Sequence, residues 1–183
     1  MNMDFFGMFD YANGDDATYE YTATEYAKVM QLIVGDGIVS GYGTAFGLTR
    51  TGRTCTLGAG AVFIQGYSGI STATKSVTLT AAASGMTRID IIVVRLNVQA
   101  RTIALEVISG AETAATPSAP TLTQTASIYE LPLYQFTVSG SDITATIDRR
   151  QLKVSMSHIS AGYGDPDVAS LGIGDIYIKL QEE

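Results

Sequence analysis

The chain has 183 residues, of which 46% are hydrophobic and only 16% are charged, and its formal net charge at pH 7 is −7. This balance argues against a general nucleic-acid binder and against a protein that binds anionic membranes, because both need clustered lysines and arginines. The hydrophobic share suffices for the core of one domain, and no apolar stretch reaches the roughly 20 residues of a membrane-spanning helix.

The cysteine content and the first residues indicate where the chain is made. The single cysteine, Cys55, cannot form a disulfide within the chain. The first residues lack the basic region and apolar run of a secretory signal. We therefore expect synthesis in a reducing cytosol.

Residues 1–21 predict an aromatic arm that packs on the domain itself or on a neighbouring subunit. The aromatic residues expected to make these contacts are Phe5, Phe6 and Phe9. The arm also contains the acidic residues Asp10, Asp15 and Asp16. They lack the alternating oxygen ligands and the terminal glutamate of a calcium loop, so a solvated turn is favoured over a metal site.

Residues 22–35 predict a helix. Thr22 and Glu25 have the spacing of a capping box, and Gly35 stands where a left-handed helix end is expected. An apolar stripe follows at helical spacing and comprises Tyr26, Val29, Met30 and Ile33. We expect this stripe to lie on the sheet or on a neighbouring subunit, and Tyr26 and Met30 are candidate subunit contacts.

Residues 36–85 are punctuated by glycine and predict short strands. The expected strands are 46–48, 54–57, 61–67 and 77–80. The Gly41-Tyr42-Gly43 turn is not a nucleotide-binding motif, because the flanking strand, the following helix and the third glycine are missing.

Residues 86–108 predict a hairpin at the centre of the fold, with its reversal at 97–100. The first strand is apolar on much of both faces, which is typical of a central strand. The second strand alternates apolar and polar residues, as a half-solvated strand does.

The remaining chain predicts a proline-containing loop, two more strands and a tail. The loop at 109–127 is interpreted as a crossover between the sheets of a sandwich. Strands are expected at 128–138, where Pro132 indicates an edge or a bulge, and at 143–147. Residues 151–183 form a tail whose last strand carries Ile176 and Ile178, which are also candidate subunit contacts.

The expected architecture is therefore mainly β. It is an antiparallel β-sandwich with one short N-terminal helix and a C-terminal β tail. The arm covers 1–21, the helix and sandwich domain covers 22–150, and the tail covers 151–183.

Charged residues in or beside strands are the candidate structural ion pairs. They are Arg88, Asp90, Arg95, Asp148 and Arg149. A buried charge must be paired, so we expect Asp90 to pair with Arg88, Arg149 or Arg150 and to fix the register between strands. The alternative is that all of them lie at strand ends in solvent.

No catalytic, cofactor or metal site is expected. A thiol nucleophile would need Cys55 beside His158, the one histidine, and an orienting group. A cysteine in an alternating run is more typical of a small core residue. A glycosidase cleft would need two acids on an aromatic-lined face, and the chain lacks tryptophan.

Four blocks occur in a fixed order along the chain. They are DDATYEYTATEYAKVMQLIVGDGI (15–38), GAGAVFIQGY (58–67), TRIDIIVVRL (87–96) with Gly110 and the Pro117 and Pro120 loop after it, and YELPL (129–133) with IDR (147–149). Together they resemble the N-terminal domain found in tail-fibre and baseplate proteins of phages that infect Gram-positive bacteria. Residues 162–177 are similar to short C-terminal segments of such virion proteins.

This resemblance implies a non-enzymatic virion structural protein, made in the cytoplasm of the host bacterium. It implies a homotrimer that contacts other tail or baseplate proteins and holds the host-recognition apparatus. Phage-derived contractile injection systems and tail-like bacteriocins would give the same signal. The alternative function is a carbohydrate-binding module that contacts host cell-wall polysaccharide, and a hydrolase is a third.

Overall fold

A computed structural model of the protein describes residues 22–153 in full and the backbone of 159–162 and 176–179. The fold is mainly β, with antiparallel sheets packed together, as the sequence predicts. The elements are α1 (Ala23–Ile33), β1 (Gly37–Val39), β2 (Leu48–Thr51), β3 (Thr54–Leu57), β4 (Gly60–Ile64), β5 (Tyr67–Ser71), β6 (Lys75–Thr78), β7 (Thr87–Asn97), β8 (Thr102–Ser109), β9 (Ile128–Ser139), β10 (Asp142–Asp148), β11 (Leu152–Lys153), β12 (Ile159–Gly162) and β13 (Ile176–Lys179).

Three sheets surround the core. Sheet I has the order β11-β1-β4-β5, sheet II has β10-β9-β7-β8, and sheet III has β2-β3-β6. Sheet I includes Leu152 and Lys153, both of which lie beyond residue 150, the predicted end of the domain. Within the described part of the chain, no helix is long and apolar enough to cross a membrane.

Strand β7 is the centre of sheet II, as its two apolar faces predict. It pairs with β8 on one side and with β9 on the other. Opposite Ile92 and Val93 the register shifts by one residue, between Tyr134 and Pro132 of β9. Pro132 therefore lies at a bulge in a central strand, one of its two predicted settings, because a residue without an amide hydrogen cannot complete a regular ladder.

Two predicted strands are corrected. Residues 61–67 form no single strand but the end of β4, a two-residue turn and the start of β5. The turn residues Gln65 and Gly66 have φ of 50° and 76°, as a tight type I′ hairpin turn requires. Residues 46–48 are not a strand either, because Phe46 has φ of 56° and β2 begins only at Leu48.

Helix α1 begins at the predicted capping box. Glu25 N–H donates to Thr22 Oγ1 at 3.2 Å, and Thr22 N–H donates to Glu25 Oε2 at 2.8 Å. These hydrogen bonds from Thr22 lower the pKa of Glu25. At the other end Gly35 has φ of 65°, and Lys153 Nζ donates to the carbonyl of Val34 at 2.8 Å.

The loop at 109–127 does not connect two sheets, which corrects its predicted role. It joins β8 to β9, and both strands belong to sheet II, on either side of β7. The loop is held to the face of the sheet that carries Arg95, because Thr123 N–H donates to Glu130 Oε2 at 2.6 Å. On that same face Val93 is fully buried.

The core lies between the three sheets. Phe136, Leu133 and Val138 of β9 are fully buried there beside Ile92 and Val94 of β7. The last predicted strand is present as β13, and its backbone pairs in parallel with β12 of the same chain.

Candidate functional site

Arg88 and Asp90 form a buried ion pair on β7. Arg88 Nε lies 2.9 Å from Asp90 Oδ1, and the two side chains are 5% and 1% exposed. The guanidinium also donates to the carbonyls of Thr80 and Ala81, at 2.6 and 3.0 Å, and to Glu112 Oε1 at 2.8 Å. The hydrogen bond to Asp90 raises the pKa of Arg88.

This geometry differs from the predicted register device. Both residues lie on the same strand, so the pair itself cannot set the register between strands. Arg88 instead holds the segment before β7, and Asp90 Oδ1 accepts a hydrogen bond from Gly110 N–H, at 3.3 Å, after β8. The pair therefore fixes two connections at one end of sheet II.

Arg95 lies on the opposite face of β7, between two glutamates that the sequence analysis did not single out. Its Nε and Nη2 donate to Glu130 Oε1 at 2.8 and 2.5 Å, and its Nη1 pairs with Glu106. The Glu130 side chain is 1% exposed. The hydrogen bond to Glu130 is the main cause of the raised pKa of Arg95. The signal in the sequence was an acid within the apolar run YELPL, directly opposite an arginine once the strands pair.

The charges at the end of β10 and directly after it lie nearer the surface. Asp148 pairs with Arg150 at 2.6 Å, and this hydrogen bond lowers the pKa of Asp148. Arg150 also donates to the carbonyl of Ala45 at 2.7 Å and lies over the ring of Tyr134. Arg149 donates to Gln135 Oε1 at 2.9 Å. Neither arginine reaches Asp90; each joins β10 to other parts of the domain.

These charged clusters join separate segments of the fold. In the described residues, no group of three or more His, Cys, Asp or Glu side chains is placed to hold a metal ion. Cys55 is fully buried, and burial raises the pKa of its thiol, which disfavours the nucleophilic thiolate. His158 and the acidic residues of the arm lie outside the described residues.

The apolar stripe of α1 is only partly covered by the domain, since Val29 and Met30 are half-buried, and its position on the sheet or on a neighbouring subunit stays a prediction. The buried residue of the helix is Ala27. The helix backbone rests on Gly66, where an added Cβ would come within 1.7 Å of the Ala27 carbonyl oxygen. Tyr26 and Ile33 are 51% and 56% exposed, and Met30 is half-buried.

The other candidate subunit contacts lie outside the part of the chain whose side chains are described. Phe5, Phe6 and Phe9 precede the described residues. Ile176 and Ile178 lie on β13, whose backbone alone is described. Their role as subunit contacts stays a prediction.

An apolar groove of about 460 Å³ opens between β5, β6 and β8. Each of these strands is at the edge of its sheet. The groove is lined mostly by aliphatic side chains, with Lys75 and Glu106 among the lining residues, and Ile70 is 65% exposed. Gly69 of β5 lies close to Ile103 of β8, since a Cβ at position 69 would meet Ile103 Cγ2 at 3.0 Å.

Comparison with known proteins adds no relative to this description. No protein-family model matches the chain, and no curated protein is detectably similar to it. The function must therefore be argued from the residues themselves.

Proposed function

We propose that the protein is a non-enzymatic structural component of a phage tail or baseplate, or of a particle derived from one. It assembles as a homotrimer, contacts other tail or baseplate proteins and forms part of the host-recognition apparatus. It is made in the cytoplasm of the host bacterium and ends up in the virion.

The observation that carries this proposal is the apolar stripe of α1, in which Tyr26 and Ile33 are exposed while Val29 and Met30 are half-buried. The helix has a well-formed N-terminal cap and docks through Ala27, yet Tyr26 and Ile33 remain more than half exposed. Large apolar side chains aligned along one helix are typical of a surface that another protein covers. In an oligomer, the same stripe would be covered by a neighbouring copy.

The sequence blocks that resemble tail and baseplate proteins are a second, separate argument for the proposal. Thr87-Arg-Ile-Asp90 builds the buried pair that fixes two connections, and Tyr129-Glu-Leu-Pro-Leu133 supplies the buried Glu130 and the bulge. Both blocks are used for architecture. Such use fits a structural protein better than an enzyme, whose distinctive residues converge on a cleft.

The alternative function is binding of cell-wall glycan. The groove between β5, β6 and β8 gives it little support, because Phe46 is the one aromatic residue among the described side chains that line the groove. A sugar site needs aromatic faces together with convergent polar groups.

Immunogold electron microscopy tests the proposal. Particles are purified from a culture of the bacterium that produces the chain, and antibodies are raised against the recombinant protein. We expect gold at the tail end of phage or phage-like particles, in numbers that are multiples of three per particle. Gold on no particle would contradict the proposal, and binding of the recombinant protein to purified cell-wall polysaccharide would favour the glycan alternative.

A further inference from the structure

The groove between β5, β6 and β8 has the form of a site for an extended chain segment. Three strands border it, and each lacks a hydrogen-bonded neighbour on one side among the described residues. Its deeper lining includes Ile92, Val94 and Val62, which are apolar core residues. Apolar pockets beside free strand edges are used elsewhere to bind a peptide as an added strand.

The chain leads from this groove directly to residues 1–21. Thr24 Oγ1, in the first turn of α1, lies 3.4 Å from Tyr67 Oη at the start of β5. Three residues further along β5 is Ile70, on the groove, at about 10 Å for a strand. The ten residues 12–21 could span up to about 35 Å when extended. Residues up to position 11 can therefore reach the groove.

Residues 1–11 have the side-chain pattern that such a groove would select. With the exception of Gly7, the odd positions are all apolar, and they are Met1, Met3, Phe5, Phe9 and Tyr11. The even positions carry the polar residues Asn2, Asp4 and Asp10, which would face away from the apolar floor, together with the apolar Phe6 and Met8. A period of two places one set of side chains on one face of a strand.

We propose that residues 3–11 lie in the groove of their own chain as an added strand, with Phe5 and Phe9 on its apolar floor. The segment covers Ile70, one of the most exposed large apolar residues of the described domain. It also closes an otherwise free sheet edge, which would be a site for unwanted strand pairing. This proposal does not rest on the tail or baseplate assignment, because it concerns contacts within one chain.

A tryptophan reporter tests the proposal in the full chain. The protein lacks tryptophan, so Phe9→Trp introduces one indole whose emission reports its surroundings. We expect blue-shifted emission and a several-fold weaker quenching by acrylamide than for free tryptophan. Emission typical of water-exposed indole would overturn the proposal.

Two matched substitutions locate the contact. In the Phe9→Trp background, Ile70→Glu places a charge on the groove, whereas Ile147→Glu places one on β10. Both positions are exposed, at 65% and 48%, so the domain should tolerate either change. We expect Ile70→Glu to shift the emission to the red and Ile147→Glu to leave it unchanged. A blue-shifted indole that ignores Ile70→Glu would contradict the proposed site.

A substitution in the arm and a dilution series complete the test. Phe5→Asp changes a residue of the arm and leaves every residue of the domain unaltered. We expect it to expose the introduced indole to water, as Ile70→Glu does. Within one chain, the emission should not depend on protein concentration. A blue shift that disappears on dilution would overturn the proposal, because the groove would then be filled by the arm of a second copy.

Discussion

Strand β7 and helix α1 place polar and apolar side chains in opposite ways. β7 buries Arg88 and Asp90 inside the domain and satisfies both within the chain. α1 carries Tyr26 and Ile33 on its surface, each more than half exposed. The charges of β7 thus need no outside partner, whereas the apolar stripe of α1 would be stabilised by one. Of these two elements, α1 is therefore the one that a neighbouring protein would stabilise.

Breaking the β7 pair should have the largest effect. Asp90→Asn removes the buried acidic partner of Arg88 and leaves it only the partly exposed Glu112, so we expect a loss of about 3 kcal/mol, the lower end of the range for breaking a buried ion pair. Urea denaturation measures the change in the free energy of unfolding. The control is Asp142→Asn, an exposed acid at the start of β10, for which we expect a change within about 0.5 kcal/mol. Equal losses for the two variants would show that the buried pair has no special role.

The seat of α1 should be the next most sensitive. Gly66→Ala introduces a Cβ that clashes with the Ala27 carbonyl, whereas Gly52→Ala puts one into open space at a similar positive φ. Both variants suffer backbone strain. We expect Gly66→Ala to lose about 1–3 kcal/mol more, which is typical of overpacking. Hydrogen exchange should show faster exchange of the α1 amides in Gly66→Ala, and similar exchange in both variants would refute the proposed seat.

The cluster around Arg95 allows a buried acid and an exposed acid to be compared, because the same arginine binds both. Glu130→Gln removes a carboxylate that is 1% exposed, whereas Glu106→Gln removes one that is 39% exposed. We expect a loss of about 1–3 kcal/mol for Glu130→Gln, because a buried charge-assisted network is broken. The loss for Glu106→Gln should stay below about 1 kcal/mol. Urea midpoints in the opposite order would contradict the geometry.

We expect the smallest effect from the loss of the Asp148–Arg150 ion pair at low pH. Arg150 lowers the pKa of Asp148 in the folded state, so the ionised carboxylate stabilises the fold above the unfolded pKa of about 3.9. That contribution is lost as the pH falls through the lowered folded pKa. Because Asp148 is 49% exposed, we expect Asp148→Asn to cost less than about 1 kcal/mol at pH 7. The difference from wild type should vanish at the lowest pH, and a difference that grows there would reverse the assigned sign.

Local sequence signals predicted much of the fold. The long apolar run of β7 indicated a central strand, and Thr22 with Glu25 indicated the start of α1. Pro132 indicated an irregularity in its strand, which is the bulge of β9. Each of these features is decided by neighbouring residues, through burial on two faces, a capping hydrogen bond or a missing amide hydrogen.

The features that were missed depend on residues far apart in the chain. The amphipathic pattern of α1 favoured the stripe with Tyr26, but the helix docks through Ala27 because Gly66 lets two backbones approach. In the β4–β5 turn Gln65 has a positive φ, a conformation that the sequence signals only where the residue is glycine. Glu130 lies opposite Arg95 only because β7 and β9 pair, and this pairing cannot be deduced from the residues next to Glu130.

The mass of the particle that the purified protein forms tests the central claim most directly. Sedimentation equilibrium should give three times the 19.3 kDa of one chain for the wild type. A double variant of the stripe, Tyr26→Ser with Ile33→Ser, should sediment as a monomer that is still folded. The control, Leu32→Ser, changes a residue that is 89% exposed but lies off the stripe, and it should remain a trimer. A wild-type protein that stays monomeric at micromolar concentration, or a trimer that survives the double substitution, would contradict assembly through α1.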